Sequence, residues 1–417
     1  MRRLRTMLAG IAFGLGVFAS GPGHAVEIEY WQYVFETRVK AMDQLIQKFE
    51  AANPGIKIKH TTVPYADYQT KVAAAITAGQ GPDVTQLFYG WLDTFIAGKL
   101  IQPLPEDAFP AAKIEAEFFP VVTAMKRDGK YYGLPTAVRS LALFYNKKAF
   151  EAAGLDPAKP PQTLDELLAV AQKTTKRDAA GNITSAGITM DMAGQDHHWW
   201  REVLVRQFGG TPYTEGDRKV TYTSEAGVNA LQFYLDLQTK HKVGQIGFMD
   251  EGQAAFKAGL AAMTIDGTFR LGSFASIKAF EWGVAELPAN AKGERSNYSS
   301  YFANAITTKA SGEKLEASKK FLAYLASAEA MEVWLKVVGE LPARRAAALT
   351  EANLANPIYA PFLKGLAYAQ TTKFVDEAGQ RQVAMDMVNR PLLKGQAAKA
   401  SLEEAAKAEQ TLLDRVK

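Results

Sequence analysis

The sequence predicts an α/β protein built as two lobes. Within the first ninety residues, apolar strands alternate with amphipathic helices at the spacing of parallel strand–helix–strand units. The same alternation returns less regularly after residue 160, with no fixed-period repeat and no long linker between the halves. The chain has 417 residues, of which 47% are hydrophobic and 22% charged, so there is room for two domains. We therefore expect two lobes that exchange strands through short crossings.

The first half carries the regular elements. Apolar residues at spacings of three and four mark helix faces, and short apolar runs bounded by turn residues mark strands. The predicted elements are a strand over Val26–Tyr30, a helix with Val39, Met42, Ile46 and Phe49 on one face, a strand over Ile56–Val63, a helix over Ala66–Thr77 and a strand over Asp83–Phe88.

The second half begins with a strand that is expected to be buried on both faces. The run from Leu141 to Tyr145 is apolar throughout and is bounded by a Gly-Leu-Pro turn and by two lysines. Further elements are strands over Gly187–Met190, Ala261–Ile265 and Val284–Leu287, a helix over Glu225–Gln238, and an almost wholly helical stretch from Leu315 to Lys417.

Residues 1–25 have the pattern of a cleaved signal peptide. Three arginines at the start precede the apolar segment Met7–Ala19, and Gly23-His24-Ala25 supplies the small residues that signal peptidase reads. The apolar segment is shorter than the roughly 20 residues of a membrane-spanning helix, although an N-terminal membrane anchor is the alternative reading. The chain has no cysteine, so lipid attachment after cleavage is not expected. We expect a soluble product in a Gram-negative periplasm.

Composition argues against several function classes. The net charge is +4, and the charges are interleaved without the long basic run of a nucleic-acid surface. The absence of cysteine removes thiol catalysis, and no phosphate-binding or hydrolase motif occurs. His197 and His198 are adjacent, and adjacent residues seldom converge on one metal ion. We therefore expect no catalytic activity, no cofactor and no metal site. Scattered acidic residues leave a glycoside hydrolase open as an alternative, but no carboxylate pair is marked.

Aromatic and polar residues follow several of the predicted strands. Ligands of open α/β sheets bind beyond the carboxyl ends of the strands, and aromatic faces suit the C–H faces of sugar rings. Each aromatic side chain could instead be a packing residue, and Glu36 and Arg38 are read as a solvated helix start. The candidate ligand-binding residues in these loops are Trp31, Gln32, Tyr33, Tyr65, Tyr89, Trp91, Trp199, Trp200, Asp266, Gly267 and Phe269.

A set of ordered motifs covers nearly all of the chain after residue 25. Together they resemble the carbohydrate-binding solute-binding proteins of ABC importers, the maltose-binding-protein-like superfamily. The motifs are the strand before Trp31, FEAANPGIKI (49–58), GPDV (81–84), GKLIQPL (98–104), YYGLP (131–135), LFYNKKAFEAAGL (143–155), FKAGLAAMTIDGTF (256–269), GVAELP (283–288) and AYLASAEAMEVWL (323–335).

This resemblance implies the two-lobe periplasmic binding protein fold with three interdomain crossings, near Arg139, Pro288 and Thr308. The N-terminal lobe would comprise residues 26–138 and 289–308, and the C-terminal lobe residues 139–288 and 309–417. The matching pocket positions are Trp31 to Tyr33, Tyr65, Tyr89 to Trp91, Arg139, Trp199 and Phe269. Arg344, beside Arg345, is a further candidate contact, with a solvated charge pair as the alternative.

The resemblance further implies a monomeric periplasmic receptor that delivers a mono- or oligosaccharide, or a modified sugar, to the transmembrane subunits of an ABC permease. The position of Arg139 is often acidic in malto-oligosaccharide binders, and Phe269 stands where tryptophan is common, so a maltose-type ligand is not expected. An arginine there suits sugar hydroxyls, or a carboxylate, sulfonate or phosphate on a modified sugar. A receptor for a peptide, a polyamine or iron is the alternative within the binding proteins.

Overall fold

The computed structural model describes residues 25–214, 216, 219–249 and 251–415. Apart from Ala25, the predicted signal peptide therefore lies outside the described residues. The strands in this part of the chain are β1 (Val26–Tyr33), β2 (Ile56–Val63), β3 (Val84–Phe88), β4 (Lys126–Arg127), β5 (Lys130–Tyr131), β6 (Leu134–Pro135), β7 (Ala137–Asn146), β8 (Lys176–Arg177), β9 (Ile183–Ser185), β10 (Met263–Gly267), β11 (Trp282–Ala285), β12 (Asn297–Ser300), β13 (Phe302–Ile306), β14 (Leu341–Pro342) and β15 (Ala369–Gln370).

The helices surround these strands, and none in the described part of the chain is both long and apolar enough to cross a membrane. They are α1 (Glu36–Ala52), α2 (Tyr65–Thr77), α3 (Leu92–Ala97), α4 (Ala111–Glu117), α5 (Lys147–Ala152), α6 (Leu164–Thr174), α7 (Asp196–His198), α8 (Val205–Gln207), α9 (Glu225–Thr239), α10 (Gly252–Lys257), α11 (Leu271–Phe274), α12 (Gly312–Leu325), α13 (Ala328–Val338), α14 (Arg345–Ala348), α15 (Glu351–Ala355), α16 (Ala360–Leu366), α17 (Glu377–Lys394) and α18 (Ala398–Leu413).

The first sheet has the strand order β2-β1-β3-β13-β6. Strand β1 lies parallel to β2 and to β3, while β13 returns antiparallel to β3. Apolar side chains of β1, among them Ile28 and Tyr30, pack with Leu45 and Phe49 of α1 and with Phe321 of α12 in one buried cluster. The predicted strand–helix alternation of the first ninety residues is thereby confirmed. We call the part of the chain built on this sheet the first lobe.

The second sheet is organised around β7. Strands β10, β11, β12 and β14 all pair antiparallel with β7. Every residue of β7 is buried except Arg139, which is half-buried, so the continuous apolar run from Leu141 to Tyr145 is explained by neighbours on both faces. Helices α9, α17 and α18 pack together beside this sheet. We call the part of the chain built on it the second lobe, and the predicted two-lobe α/β class is confirmed.

Strand membership suggests where the chain passes between the lobes. Strand β6 of the first sheet and β7 of the second are separated by Thr136, and β12 of the second sheet and β13 of the first are separated by Tyr301. Helix α13 packs on α1 in the first lobe, and the chain then enters β14, which pairs with β7. We propose these three places as the crossings.

The proposed crossings differ from the expected lobe boundaries in two stretches. Residues 297–300 were assigned to the N-terminal lobe, but they form β12 and pair with β7 in the second sheet. Residues 312–338 were assigned to the C-terminal lobe, but their helices pack on β1, β13 and α1 of the first lobe. We therefore propose a crossing at Tyr301 in place of the one expected near Pro288, and a crossing around Glu340 in place of the one expected near Thr308. Hydrogen-bonded pairing between strands that are distant in sequence decides which sheet a segment belongs to. The order of motifs along the chain carries no information on that pairing.

Candidate ligand-binding site

A cavity of about 350 Å³ lies between the two lobes. The first lobe contributes residues from the end of β1 and the start of α1, the start of α2, the end of β3 and the start of β13. The second lobe contributes residues from β7, β12, the loop after β10, the segment around α7 and the first turns of α17. Residues beyond strand ends thus form most of its wall, as the general rule for α/β sheets predicts. The lining residues are Tyr33, Val34, Phe35, Arg38, Tyr65, Phe88, Arg139, Gln195, His198, Phe269, Tyr298, Ser300, Phe302, Glu377 and Arg381.

Two arginines of the cavity wall share one buried carboxylate, that of Glu340. The Nε atom of Arg139 lies 2.6 Å from Glu340 Oε1, and the guanidinium of Arg38 pairs with the same oxygen. The indole N–H of Trp334 donates to Glu340 Oε2 at 2.8 Å. The side chain of Glu340 is only 4% exposed, so it lies behind the arginines and is shielded from solvent.

The electrostatics of this cluster keep the Glu340 carboxylate ionised and leave Arg38 protonated at neutral pH. Burial alone would raise the pKa of Glu340, but the charges of Arg139 and Arg38 and the Trp334 hydrogen bond outweigh it and lower the pKa to about 2. Burial, together with the charge of Arg139, lowers the pKa of Arg38 to about 10 against the opposing effect of Glu340. At neutral pH the cluster therefore holds two positive charges and one negative charge.

Aromatic rings frame both guanidinium groups. The Arg139 guanidinium carbon lies 5.4 Å from the ring centre of Phe269 and 5.0 Å from that of Phe302. These two rings come from different lobes, Phe269 following β10 and Phe302 beginning β13. The Arg38 guanidinium carbon lies 5.1 Å from the Tyr33 ring centre. Such distances favour cation–π attraction and hold the guanidinium planes in fixed orientations.

The side chains that the second lobe contributes to the cavity wall are mostly polar. The His198 ring stacks on Tyr298 with centroids 3.8 Å apart and an angle of 11°. Burial, followed by the charges of His197 and Arg201, lowers the pKa of His198 well below its ordinary value, so the ring is neutral. Its Nδ1 atom is buried without a partner in the described part of the chain. Beside it, Arg381 pairs with Glu377 one helical turn away on α17.

Four of the thirteen predicted ligand-binding residues line this cavity. Tyr33, Tyr65, Arg139 and Phe269 are brought together from both lobes. Tyr65 is 43% exposed, which is high for an aromatic residue, and its ring lies 5.1 Å from that of Tyr33. The other nine predicted residues do not line the cavity, for physical reasons that differ from one group to the next.

Trp199 and Trp200 lie in the core of the second lobe, so the prediction that they face an open cleft is wrong. Each is 1% exposed. The Trp199 ring packs edge-on against Tyr234 at 6.0 Å, and Trp200 packs against Tyr222 at 5.2 Å. The segment after the predicted strand is not an open loop, because residues 199–204 form a helical turn that buries both rings.

Four first-lobe candidates do not line the cavity. Trp91 is buried against Phe95 and Phe302, and the Tyr89 hydroxyl lies 3.1 Å from the hydroxyl of Tyr298. Trp31 donates its indole N–H to Glu29 at 3.3 Å. Gln32 is fully buried, and its amide has no partner among the described residues. Trp91 and Tyr89 thus contact lining residues from behind, and none of the four residues lines the cavity.

Asp266, Gly267 and Arg344 have structural partners. Asp266 accepts a hydrogen bond from Arg270 Nε at 2.7 Å and another from the Gly267 N–H at 2.7 Å. A Cβ atom at Gly267 would lie 2.4 Å from the Phe269 ring, so glycine there allows Phe269 to reach the cavity. Arg344 pairs with Glu117 and donates from Nε to the Ala326 carbonyl at 2.6 Å, outside the cavity.

Several lining residues were missed by sequence reasoning. Arg38 was interpreted as a solvated helix start, but it is 2% exposed and lines the cavity. Its partner Glu340 lies 302 positions further along the chain, and no local pattern reveals such a pairing. Tyr298 lies in β12 and Phe302 in β13, on either side of Tyr301, and no motif in this stretch marks either residue as a ligand contact. Among the described residues, no group of three or more acidic or histidine side chains could hold a metal ion.

Comparison with known proteins gives one family match and a set of relatives. The model of the family described as bacterial extracellular solute-binding protein matches residues 35–332. The sn-glycerol-3-phosphate-binding periplasmic protein UgpB of Escherichia coli K12 is 27% identical over 356 residues, which cover 81% of this chain and 78% of that protein. The UgpB protein of Shigella dysenteriae is 28% identical over 359 residues, which cover 81% of this chain and 78% of that protein.

Solved structures share the fold at low sequence identity. The GacH receptor of Streptomyces glaucescens superimposes with a TM-score of 0.79 at 22% identity, covering 94% of this chain and 100% of that chain. A Thermotoga lettingae ABC transporter solute-binding protein bound with alpha-D-tagatose gives 0.78 at 23% identity, covering 93% and 100%. The MalE domain of Bdellovibrio bacteriovorus bound to maltotriose gives 0.75 at 21% identity, covering 94% and 99%. At this identity the likeness establishes the two-lobe fold.

Proposed function

Because the chain belongs to the family of bacterial extracellular solute-binding proteins, we propose that it is the receptor of an ABC importer. Its interlobe cavity binds a small solute, and the loaded protein delivers that solute to the transmembrane subunits of the permease. The ligand is a sugar or polyol that carries an anionic group.

The single observation that carries the anionic ligand is the pairing of Arg38 and Arg139 with one carboxylate. Within the part of the chain that the structure describes, the two guanidinium groups pair with a single carboxylate, that of Glu340, so one positive charge at this wall is left without a counter-charge. Among the described residues, Glu340 is the one polar partner of Arg139. We propose that the two lobes close over the ligand. A guanidinium enclosed in this way needs a compensating group, because a buried unpaired charge is costly. An oxyanion supplies that group in the bidentate geometry that arginine favours.

Cavity size supports a small ligand. The volume of about 350 Å³ lies near the lower end of the range of about 300–1,000 Å³ for small-molecule sites. This favours a monosaccharide or a shorter polyol over a long oligosaccharide. The relatives named for binding sn-glycerol 3-phosphate support a small anionic polyol in the same way. A polyamine, one of the alternatives, would add positive charge to a cavity that already has an excess of it.

The remaining properties of the receptor are proposed on the sequence. We expect export by the N-terminal segment, cleavage after Ala25 and a monomeric periplasmic product without a lipid anchor, since the chain has no cysteine. The protein carries its ligand and performs no reaction on it. N-terminal sequencing of protein released by osmotic shock tests the export step. Recovery of a membrane-bound product that begins at Met1 would overturn it.

The decisive test of the ligand class uses calorimetry and mass spectrometry. Protein is unfolded, refolded without ligand and titrated with sn-glycerol 3-phosphate, glucose 6-phosphate and the two neutral parents. We expect at least one ester to bind more tightly than its neutral parent. Mass spectrometry of the small molecules released on the first unfolding identifies any ligand carried from the cell. A neutral oligosaccharide as the released ligand, with no binding of either ester, would contradict the proposal.

A further inference from the structure

We propose that Glu340 sets the charge of the ligand that the cavity accepts, so that a singly charged oxyanion is favoured over a doubly charged one. This inference rests on the proposed function, because it assumes that an anion binds at Arg38 and Arg139. It makes Glu340 a residue that acts on the ligand through the two arginines, without touching the ligand itself.

The position of Glu340 is fixed by the backbone. Helix α13 ends at Gly339, which adopts a φ of +87° and turns the chain toward β14. An L side chain rarely adopts this φ, and a Cβ atom there would lie 3.2 Å from that of Leu271. The turn sends the Glu340 carboxylate between Arg38 of α1 and Arg139 of β7, with Trp334 of α13 holding its second oxygen. The carboxylate thus has little freedom to leave the arginines.

Among the described residues, the charged groups of the cavity wall, taken together with Glu340 directly behind it, sum to one positive charge. Three arginines, Arg38, Arg139 and Arg381, stand against two glutamates, Glu340 and Glu377. Tyrosine side chains on the wall are uncharged at neutral pH. The ring of His198 is neutral because its burial disfavours the charged form. A singly charged anion would therefore make the closed cavity neutral.

A doubly charged anion would leave one negative charge in excess. In an enclosed site that charge has little water to solvate it, and the cost of an uncompensated buried charge is high. A sulfate ester, a carboxylate and a phosphodiester all carry one negative charge at neutral pH. A phosphate monoester carries between about 1.5 and 2 negative charges at pH 7, because its second pKa is about 6. The structure thus favours the singly charged class.

The test compares esters that differ in charge and little else. The probes are glucose 6-sulfate against glucose 6-phosphate, and glycerol 3-sulfate against sn-glycerol 3-phosphate, each titrated into wild-type protein at pH 8 and pH 5. At pH 8 we expect a sulfate ester to bind about tenfold more tightly than its phosphate partner, as a mismatch of one buried charge requires. At pH 5, where the phosphate ester is mostly singly charged, the difference should become small.

Variants separate the charge of Glu340 from its packing. Glu340→Gln keeps the shape and raises the cavity charge by one, so the preference at pH 8 should shift toward the phosphate ester. Glu377→Gln, on α17, raises the cavity charge by the same amount. If Glu340→Gln does not fold, the ratio of sulfate to phosphate affinity is measured in Glu377→Gln. Glu117→Gln is the matched control, because its carboxylate pairs with Arg344 outside the cavity. We expect the control to retain the wild-type ratio of affinities.

Each outcome decides. A wild-type protein that prefers the phosphate esters at pH 8 overturns the inference and leaves the proposed function intact. An unchanged ratio in both Glu340→Gln and Glu377→Gln also overturns it and makes Glu340 a structural residue of the crossing. If no ester of either pair binds more tightly than its neutral parent, the proposed anionic ligand fails, and the inference fails with it.

Discussion

Arg139 and Glu340 form an ion pair where the two lobes meet, with Arg139 Nε 2.6 Å from Glu340 Oε1. Arg139 belongs to β7, the central strand of the second sheet, and Glu340 follows the last helix of the first lobe. The same carboxylate also binds Arg38 of the first lobe. One buried group therefore orients two cationic side chains that come from opposite sides of the cavity.

Replacing Arg139 tests whether its guanidinium binds the ligand. Arg139→Lys retains the positive charge but loses the planar pair of donors, so we expect about a tenfold or greater loss of affinity for an anionic ester. Arg139→Ala should lose more. Calorimetric titration of sn-glycerol 3-phosphate measures both. Arg344→Lys is the control, since Arg344 lies outside the cavity. Wild-type affinity in both Arg139 variants would make this residue a purely structural ion-pair partner.

The acid stability of the protein should depend on Glu340. Its pKa in the folded protein is about 2, against an ordinary value of 4.5. The folded state therefore keeps the carboxylate ionised at pH values where the unfolded chain binds a proton. This contribution to the free energy of unfolding is complete above about pH 4.5 and is lost as the pH falls toward 2. Urea unfolding between pH 3 and pH 6 should show a flatter pH dependence in Glu340→Gln than in wild type. An equal change of the free energy of unfolding with pH in the two proteins would contradict the role of Glu340 in acid stability.

Truncation to alanine should lower the stability of the protein at Trp199 and its affinity for ligand at Tyr65. Trp199→Ala empties a fully buried site, so we expect the free energy of unfolding to fall by about 3–5 kcal/mol. Tyr65→Ala removes a ring that is 43% exposed at the cavity, so it should weaken ligand binding by about 1–3 kcal/mol and change stability little. Urea unfolding and calorimetry measure the two effects. If Trp199→Ala kept the wild-type stability but lost affinity for the ligand, Trp199 would be a ligand-binding residue and not a core residue.

Gly90 should be needed for closure of the lobes. A Cβ atom at this position would lie 2.8 Å from the Phe374 ring of the second lobe and 2.8 Å from the Phe88 ring of the first lobe. Gly90→Ala should therefore push Phe374 away and favour an open arrangement. Small-angle scattering with saturating ligand should give a larger radius of gyration than for wild type. Gly55→Ala, where a Cβ meets nothing within 4 Å, is the control. An identical radius in both variants would show that Phe374 adapts without opening.

The sequence predicted the parts of the fold that depend on local periodicity. The alternation of strands and helices up to Phe88 and the buried strand from Leu141 to Tyr145 are both present, because apolar spacing reports burial directly. Trp199 was placed wrongly because the segment that follows Met190 folds back as a helical turn, which depends on contacts with Tyr234 and the rest of the core. Arg38 was missed because its partner is 302 positions away. The pairing of a charge at a helix start with a distant carboxylate leaves no mark in local sequence.

Tyr301 alone separates a strand of one sheet from a strand of the other, and its hydroxyl is anchored by the first lobe through a 3.0 Å hydrogen bond to the Val121 carbonyl. Its neighbours Ser300 and Phe302 both line the cavity. A ligand in the cavity therefore lies close to this connection between the two lobes. If the lobes rotate about Tyr301, a small rotation displaces their distant rims much further than the residues of the cavity. The rims are then the surfaces whose positions differ most between the empty and the ligand-bound receptor. A permease that contacts both rims at once would distinguish the two states by the distance between the rims.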